Sequence, residues 1–354
     1  MSEFTVVELR QKAKSKGLHG YSKLRKADLI KLLQSKPRSK PRSKSRSKRS
    51  SKLKQVAFCF LLYDTIQHLN IWENFFDQDH DGTSTIYSHV KKVTSKTPSW
   101  IKSARVRTVS TSWCGEGITN AFNQMLKKAL KNPNNKYFIL ISGSDIPLYT
   151  YNETYKKILS TDKARINYMR EYENVFEDRN DIYNAHNWVI VNRDVAKQYI
   201  RLSDRKDKVA YNFVKKFRKL YAEHGNPMKR GIIKKPTHDY GWIGSCPDEV
   251  YPINWLVEVY GKHTTARFKK HIKLSLPTYS SWDFEKDPDH PEVFNIKTVK
   301  KAKREICGRG HIFARKFTDD AAKYIAMNCG RGYKSQSRRS SSKRVPKKKH
   351  KKVK

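Results

Sequence analysis

The sequence predicts an α/β domain with a mostly parallel sheet over residues 55–330, with a small helical unit in front of it and basic segments on either side. Two observations predict this arrangement. From Gln55 onward, short apolar runs alternate with amphipathic stretches, as strands and helices alternate around a parallel sheet. Over residues 35–54 and after Gly330, the chain is rich in Lys, Arg and Ser and offers little for a core. We therefore divide it into residues 1–34, 35–54, 55–330 and 331–354.

The first segment, residues 5–34, has the pattern of two helices joined by a turn. Val6, Leu9 and Ala13 recur at helical spacing after a Thr5 cap, and the apolar pattern resumes at Leu29 and continues through residue 33. Two glycines separate the two patterns. The sequence therefore predicts helix, turn, helix.

This unit, with its GLHGYSKLRKADLI centre, resembles the SAP motif and the related N-terminal helical unit of the Rho termination factor. The resemblance implies binding to duplex DNA, chiefly through contacts to its backbone. The residues expected to make these contacts are Lys12, Lys16, Lys23, Arg25 and Lys26. RNA remains an alternative to DNA, and so does a basic unit that contacts only protein.

The next segment and the C-terminal segment carry much of the charge. Residues 35–54 hold ten Lys or Arg and residues 331–354 hold twelve, with no acid in either, which is more than half of the net charge of +42. Such segments are predicted to be solvated, disordered arms. They favour contact with a polyanion: nucleic acid through residues 1–54, a membrane surface or an acidic glycan. A solubilising linker with a localisation tail is the alternative.

The cysteines and the apolar pattern bear on location. Five cysteines without CxxC spacing favour free, buried thiols in a reducing compartment. We find no apolar signal core at the N-terminus and no window of about 18 apolar residues. The chain is therefore expected to be intracellular and non-secretory, in the nucleus, at a site of DNA replication or in a virion.

The large domain shows its elements in order. Thr150 and Glu153 have the spacing of a capping box at the start of a further helix. The predicted strands are residues 56–63, 84–90, 136–144 and 188–193, and the predicted helices are residues 70–76, 117–132, 211–225 and 246–261.

One acidic loop needs a separate interpretation. Asp77, Asp79, Asp81 and Gly82 have the spacing of a calcium loop, but the twelfth position is Ser88 and a strand follows. We favour an ordinary turn over a calcium site.

Three stretches carry the chemistry: FILISGSDIPLYTYNETYKKIL (138–159), SCPDEVYPINWL (245–256) and REICGRGHIFARKFTDDAA (304–322). With SWCGEG (112–117), HNWVIVNRD (186–194) and SWDFEKDPDHP (281–291), they resemble, in order, the core-2/I-branching glycosyltransferases and their plant relatives. The resemblance covers most of residues 55–327. It implies a GT-A-like fold, a UDP-sugar donor and transfer of one sugar, GlcNAc or xylose, to a hydroxyl with inversion.

An inverting transfer needs a carboxylate that takes the proton of the attacking hydroxyl. Glu249 lies at the family's general-base position. An acid that merely complements the dipole in a first helical turn is the alternative. Many enzymes of this fold hold a metal through Asp-X-Asp, but this strand ends in SGSD, with Asp145 alone. The branching family lacks that motif too, so no metal and no cofactor beyond the UDP-sugar are expected.

The family neutralises the leaving diphosphate with a basic pair instead of a metal. By motif position this pair corresponds to Lys316 and Arg304, with Arg309 as the rival of Arg304. Trp188 and Trp282 could stack on sugar rings or belong to the core. Asp145 could bind sugar hydroxyls or cap its turn.

Three hypotheses follow. The first is an inverting, metal-independent glycosyltransferase with an unidentified acceptor. The second is a DNA-binding or architectural protein whose transferase fold is inactive. The third combines them: the helical unit brings the transferase to DNA, where it modifies bases or DNA-associated protein.

Overall fold

In a computed structural model, the chain divides into two compact units, residues 1–51 and 52–354. The structure describes residues 4–15, 24–34, 53–172, 182–224, 246–283, 286, 290–308 and 310–330. Of the predicted linker at residues 35–54, residues 35–52 lie outside the described residues, as do the predicted tail at residues 331–354 and the side chains of Lys16, Lys23 and Arg309.

The first unit contains helices α1 (Val6–Ser15) and α2 (Lys26–Gln34). Leu9 and Ala13 of α1 pack against Leu29 and Leu33 of α2, and all four are buried. Thr5 begins α1 as a capping box, because Glu8 Oε2 accepts from the Thr5 amide at 2.8 Å and the Glu8 amide donates to Thr5 Oγ1 at 3.3 Å. The two helices and the Thr5 cap thus lie where the sequence predicts them, and the predicted turn between them lies outside the described residues.

The second unit alternates strands and helices. Its helices are α3 (Leu69–Phe76), α4 (Ser99–Ser103), α5 (Glu116–Ala129), α6 (Tyr151–Leu159), α7 (Arg193–Arg201), α8 (Lys208–His224), α9 (Pro247–Tyr260), α10 (Ala266–His271), α11 (Ile296–Gly308) and α12 (Asp319–Ile325). Its strands are β1 (Gln55–Leu62), β2 (Ser84–Val90), β3 (Asn135–Ser142), β4 (Ile146–Pro147), β5 (Ala164–Ile166), β6 (Tyr168–Tyr172), β7 (Ile182–Ala185), β8 (Ile190–Asn192), β9 (Ile272–Leu274), β10 (Thr278–Tyr279) and β11 (Phe313–Ala314).

Six strands form the main sheet, in the order β2-β1-β3-β8-β5-β9. The pairs β1–β2, β1–β3 and β5–β9 are parallel, whereas β8 runs antiparallel to both of its neighbours. Among the described strands, β10-β11-β4 and β6-β7 form two smaller sheets. The expectation of an α/β domain with a mostly parallel sheet is confirmed, and the antiparallel β8 is the feature that the sequence did not reveal.

The predicted elements agree with the observed ones to within a few residues. The Thr150 capping box is confirmed, since Glu153 Oε2 accepts from the Thr150 amide at 3.1 Å. The strand expected at residues 188–193 is shorter, because Asn192 already caps α7 by accepting from the Val195 amide. Side-chain capping favours the helix there.

Helices cover both faces of the main sheet. Successive side chains of β1 point to opposite faces, so Ala57 and Cys59 join one buried cluster while Phe58 and Phe60 join the other. The first cluster is completed by α5, α7, α9 and α10, and the second by α3, α4 and α6. Burial on both faces explains the continuous apolar runs of β1 and β3.

The ends of the parallel strands create the edge at which a site can form. Leu62 of β1 pairs with Val90 of β2, and Leu61 pairs with Ser142 of β3, so the three strands end together. The short sheet brings β11 to the same place, because Ala314 pairs with Ile146. Open α/β sheets bind ligands at this carboxyl edge.

The cysteines correct an expectation. Cys114 is bonded to Cys246 and Cys307 to Cys329, while Cys59 is a free, buried thiol. The prediction of free thiols was wrong for four of the five. The partners are 132 and 22 residues apart in sequence, and only folding brings their Cα atoms to 4.5 and 5.1 Å. The argument for a reducing compartment therefore loses its basis.

The acidic loop after α3 is a turn that opens β2. The Asp79 carboxylate accepts from the amides of Thr83 and Ser84 at 2.9 and 2.7 Å, and from both hydroxyls. These hydrogen bonds outweigh partial burial and hold the pKa of Asp79 below its ordinary value. The Asp79 oxygens therefore stabilise this turn.

Among the described residues, no helix is both long enough and apolar enough to span a membrane.

Candidate active site

Glu249 lies in the first turn of α9, where Pro247 occupies the start of the helix and Cys246 is the N-cap. Its side chain is partly buried. Burial raises the pKa of Glu249 to about 8, with the neighbouring Asp248 adding to the effect, whereas a hydrogen bond with Asn184 and the charge of Arg315 oppose it. A carboxyl with this pKa is a stronger base than an ordinary glutamate.

Asp248, the neighbour of Glu249, is buried. Its Oδ2 accepts from Asn187 Nδ2 at 2.5 Å, and burial raises its pKa to about 6. Asp248, Glu249, His186 and Asn187 form the polar lining of a small cavity with room for about one water molecule. Burial and the positive charge of Arg315 lower the pKa of His186 to about 4, so this imidazole is neutral at pH 7.

Strand β7 is fastened to α9 by one side chain. Asn254 Oδ1 accepts from the Tyr183 amide at 3.0 Å, and Asn254 Nδ2 donates to the Tyr183 carbonyl at 2.7 Å. The same Nδ2 donates to the Val250 carbonyl within α9. This connection fixes the strand that carries Asn184 against the helix that carries Glu249.

Asp145 follows β3 at the carboxyl edge of the sheet and is fully buried. Its carboxylate accepts from the Ser142 amide and the Ser142 hydroxyl, both at 2.7 Å. A Cβ on Gly143 would lie 2.9 Å from the Thr65 carbonyl oxygen, so this tight turn requires glycine. Burial raises the pKa of Asp145, although Arg315, Ser142 and Lys316 counteract it.

Arg315 interacts electrostatically with both Asp145 and Glu249. Its Nε lies 3.7 Å from Asp145 Oδ1, and its guanidinium carbon lies 4.5 Å from the centre of the Trp188 ring. The side chain is only 14% exposed, and its charge also acts on Glu249. Sequence reasoning missed this residue. The FARKF motif places Arg315 directly beside Lys316, and this second cation was the signal that could have found it.

The other predicted residues differ in their surroundings. Lys316 is partly buried and its charge acts on Asp145. Trp188 packs against the core and beneath Arg315, and Trp282 is partly buried in the segment after β10. Arg304 is exposed on α11, and the charges of Arg315 and Lys316 both act on Asp145.

The strand ends next to this cluster carry an aromatic ring and a cation. Tyr63 is 64% exposed directly after β1. Lys91 follows β2, and its Nζ lies 5.8 Å from the centre of the Tyr63 ring and donates to the Thr111 carbonyl at 2.7 Å. Such a ring and cation are suited to a nucleobase and a phosphate.

The described residues include no group of three or more His, Cys, Asp or Glu side chains that could hold a metal ion.

In the first unit, three of the residues predicted to contact DNA are described. Lys12 Nζ lies 3.2 Å from the centre of the Phe4 ring, and Arg25 and Lys26 are exposed at the start of α2. Lys16 and Lys23 lie outside the described residues.

Comparisons with known proteins place these residues in context. Residues 56–305 match the family model described as core-2/I-branching enzyme. A protein of Oryza sativa subsp. japonica described as glycosyltransferase BC10 is 23% identical over 269 residues, which cover 70% of this chain and 64% of that protein. The chain thus spans less than two thirds of that relative. Residues 2–39 match the model of the Rho termination factor, N-terminal domain.

Proposed function

This chain belongs to the core-2/I-branching enzyme family, and from that premise we propose that its larger unit is an inverting glycosyltransferase. It transfers a sugar from a UDP donor to an acceptor hydroxyl. GlcNAc and xylose are the favoured sugars by family resemblance. The family match supports glycosyl transfer, and the arrangement around Glu249 supports the mechanism.

The environment of Glu249 carries the proposal. Its carboxylate removes the proton from the acceptor hydroxyl while that oxygen attacks the anomeric carbon, and the bond from that carbon to the diphosphate oxygen breaks on the opposite side. A base works best with a pKa near the working pH, and burial raises the pKa of Glu249 to about 8. An acid that only complemented a helix dipole would gain nothing from such burial.

The leaving diphosphate gains negative charge, and we assign Lys316 to it. Arg304 and Arg309 remain the rivals for the second cation of the family pair. Arg315 is held between Asp145 and Trp188. It therefore positions the site and offsets the charge of Glu249 rather than binding the phosphates alone.

We place the donor nucleotide at the carboxyl edge beside Tyr63 and Lys91. Trp188 already has the Arg315 guanidinium over its ring, so Trp282 is the better candidate for stacking on a sugar. The Asp145 carboxylate accepts hydrogen bonds from Ser142 and forms an ion pair with Arg315. These interactions favour a role for Asp145 in shaping the turn. The SGSD strand end, with a single carboxylate, favours catalysis without a metal.

The test is release of UDP from a panel of UDP-sugars by the full chain in EDTA, with a mixture of glycans as acceptors. We expect release that persists in EDTA and falls by about 10²- to 10⁴-fold in Glu249→Gln, the contribution of a general base. Release that requires added metal, or that Glu249→Gln leaves unchanged, contradicts the mechanism.

A second candidate function rests on the basic sequence before the domain and on the match of residues 2–39. In this alternative the chain is a DNA-binding or architectural protein with an inactive transferase fold. Deleting residues 1–54 should then abolish its binding to duplex DNA, and UDP should not bind the remainder. If both UDP release and DNA binding occur, comparing transfer with and without duplex DNA tests the combined hypothesis of a transferase located on DNA.

A further inference from the structure

The first turn of α9 lacks a side-chain cap and one helical hydrogen bond. Within the described part of the chain, the N-cap Cys246 gives this turn no side-chain cap. Pro252 has no N–H to donate to the carbonyl of Asp248, which removes one helical hydrogen bond. The amides of Glu249 and Val250 both donate to the Cys246 carbonyl, at 2.9 and 3.2 Å. Cys246 thus accepts both backbone hydrogen bonds of this turn, so whatever fixes Cys246 also helps to fix Glu249.

The disulfide between Cys114 and Cys246 is one such constraint on Cys246. It joins the residue before α9 to the segment before α5, three residues from Glu249, and the two cysteines are 132 residues apart in sequence. A cross-link across so long a loop restricts the unfolded chain strongly and fixes the start of α9 locally.

The segment that presents Cys114 is shaped for a close approach. Cys114 has a φ of 56°, in the left-handed region that non-glycine residues seldom adopt. A Cβ on Gly115 would lie 2.3 Å from Ser112 Oγ, and one on Gly117 would lie 2.3 Å from the Ser110 carbonyl oxygen. A larger residue at Gly117 would clash with the backbone, whereas one at Gly115 would require the Ser112 hydroxyl to rotate away. The SWCGEG motif thus forms the tight turn that carries this sulfur.

We infer that the Cys114–Cys246 disulfide is a positioning element for Glu249, so that glycosyl transfer requires the oxidised pair. The catalytic part of this inference rests on the proposed function. A dithiol reductant supplies two electrons and two protons, leaves Cys114 and Cys246 as thiols and becomes a disulfide itself. The first turn of α9 then opens to water, and Glu249 leaves its place near Arg315.

Hydrogen exchange tests the anchoring without any assay of activity. We expect amides of residues 248–256 to exchange at least tenfold faster in C114S/C246S than in the full wild-type chain. The matched control is C307S/C329S, which removes the other disulfide and should leave this segment protected. Equal protection of residues 248–256 in all three proteins overturns the inference.

Kinetics test the catalytic part. In C114S/C246S we expect kcat to fall at least tenfold, and the acid limb of kcat/KM to move to lower pH as water reaches Glu249. A disulfide that only stabilised the fold would lower thermal stability and leave this limb in place. If the wild-type chain releases no UDP at all, the proposed function fails, while the exchange result still decides the anchoring.

If C114S/C246S does not fold, a second experiment takes its place. In that case the folded C307S/C329S protein is treated with a reductant, and exchange is pulsed within minutes, before global unfolding. Fast exchange confined to residues 248–256 supports the inference. Exchange that rises equally in α5, α6 and α9 shows global loss of structure without a local anchor and overturns it.

Discussion

Replacing Glu249 by Gln should stabilise the protein while it removes the base. The folded protein holds the pKa of Glu249 at about 8, against an ordinary value of 4.5. A raised pKa means that the stabilising contribution of the group is complete below pH 4.5 and is lost as the pH rises towards 8. Gln is neutral at every pH, so the Glu249→Gln variant keeps this stabilising contribution as the pH rises.

The size of the effect follows from the same two values. Between pH 4.5 and pH 7 the unfolded chain ionises Glu249 while the folded protein keeps it protonated, which costs about 1.4 kcal/mol per pH unit. That gives about 3 kcal/mol at pH 7. Because the side chain is only partly buried, solvent screening reduces the expected gain to about 2 kcal/mol.

Urea unfolding at pH 4.5, 7 and 8.5, without reductant, measures this difference. We expect the two proteins to have equal free energies of unfolding at pH 4.5, and the variant to lead by about 2 kcal/mol at pH 7 and more at pH 8.5. Glu258→Gln is the control, because Glu258 is exposed on the same helix and its replacement should change stability little. An E249Q protein that is no more stable than wild type at pH 7 refutes the argument that burial penalises this charge.

Three further predictions concern the cations and the helical unit. Lys316→Ala should raise the Kd for UDP about tenfold in calorimetry, and more than Arg304→Ala does; the reverse order would reassign the diphosphate site. Arg315→Gln should lower kcat/KM and move its acid limb above pH 8, since the positive charge that lowers the pKa of Glu249 is gone; an unmoved limb in a pH–rate profile contradicts this role. Leu29→Ala leaves a cavity between α1 and α2, which costs about 2–5 kcal/mol in a packed core, so fluorescence anisotropy should show weaker binding to duplex DNA. Unchanged binding would mean that the arms alone hold DNA.

The sequence was sufficient for most of the local structure. Apolar periodicity located β1, β2, β3, α3, α5 and α9, because each of these elements buries one or both faces. Side-chain caps at Thr5 and Thr150 were readable from spacing, since a cap and its partner are only three residues apart. Glu249 was located by motif, and its environment could not be known from the sequence.

Only the tertiary structure decided which distant residues meet. Arg315 lies against Asp145 and Trp188, and its charge acts on Glu249, because the short strand β11 pairs with β4, a contact that no local pattern encodes. Cys114 finds Cys246 across 132 residues, which overturned the expectation of free thiols.

The elements and the candidate base could be inferred because helix and strand patterns, caps and short motifs act over a few residues. The pKa of Glu249, the charge of Arg315 that acts on it and the disulfide at its helix depend on burial and on contacts between residues far apart in sequence. Burial and charge act through space, so they exist only in the folded chain.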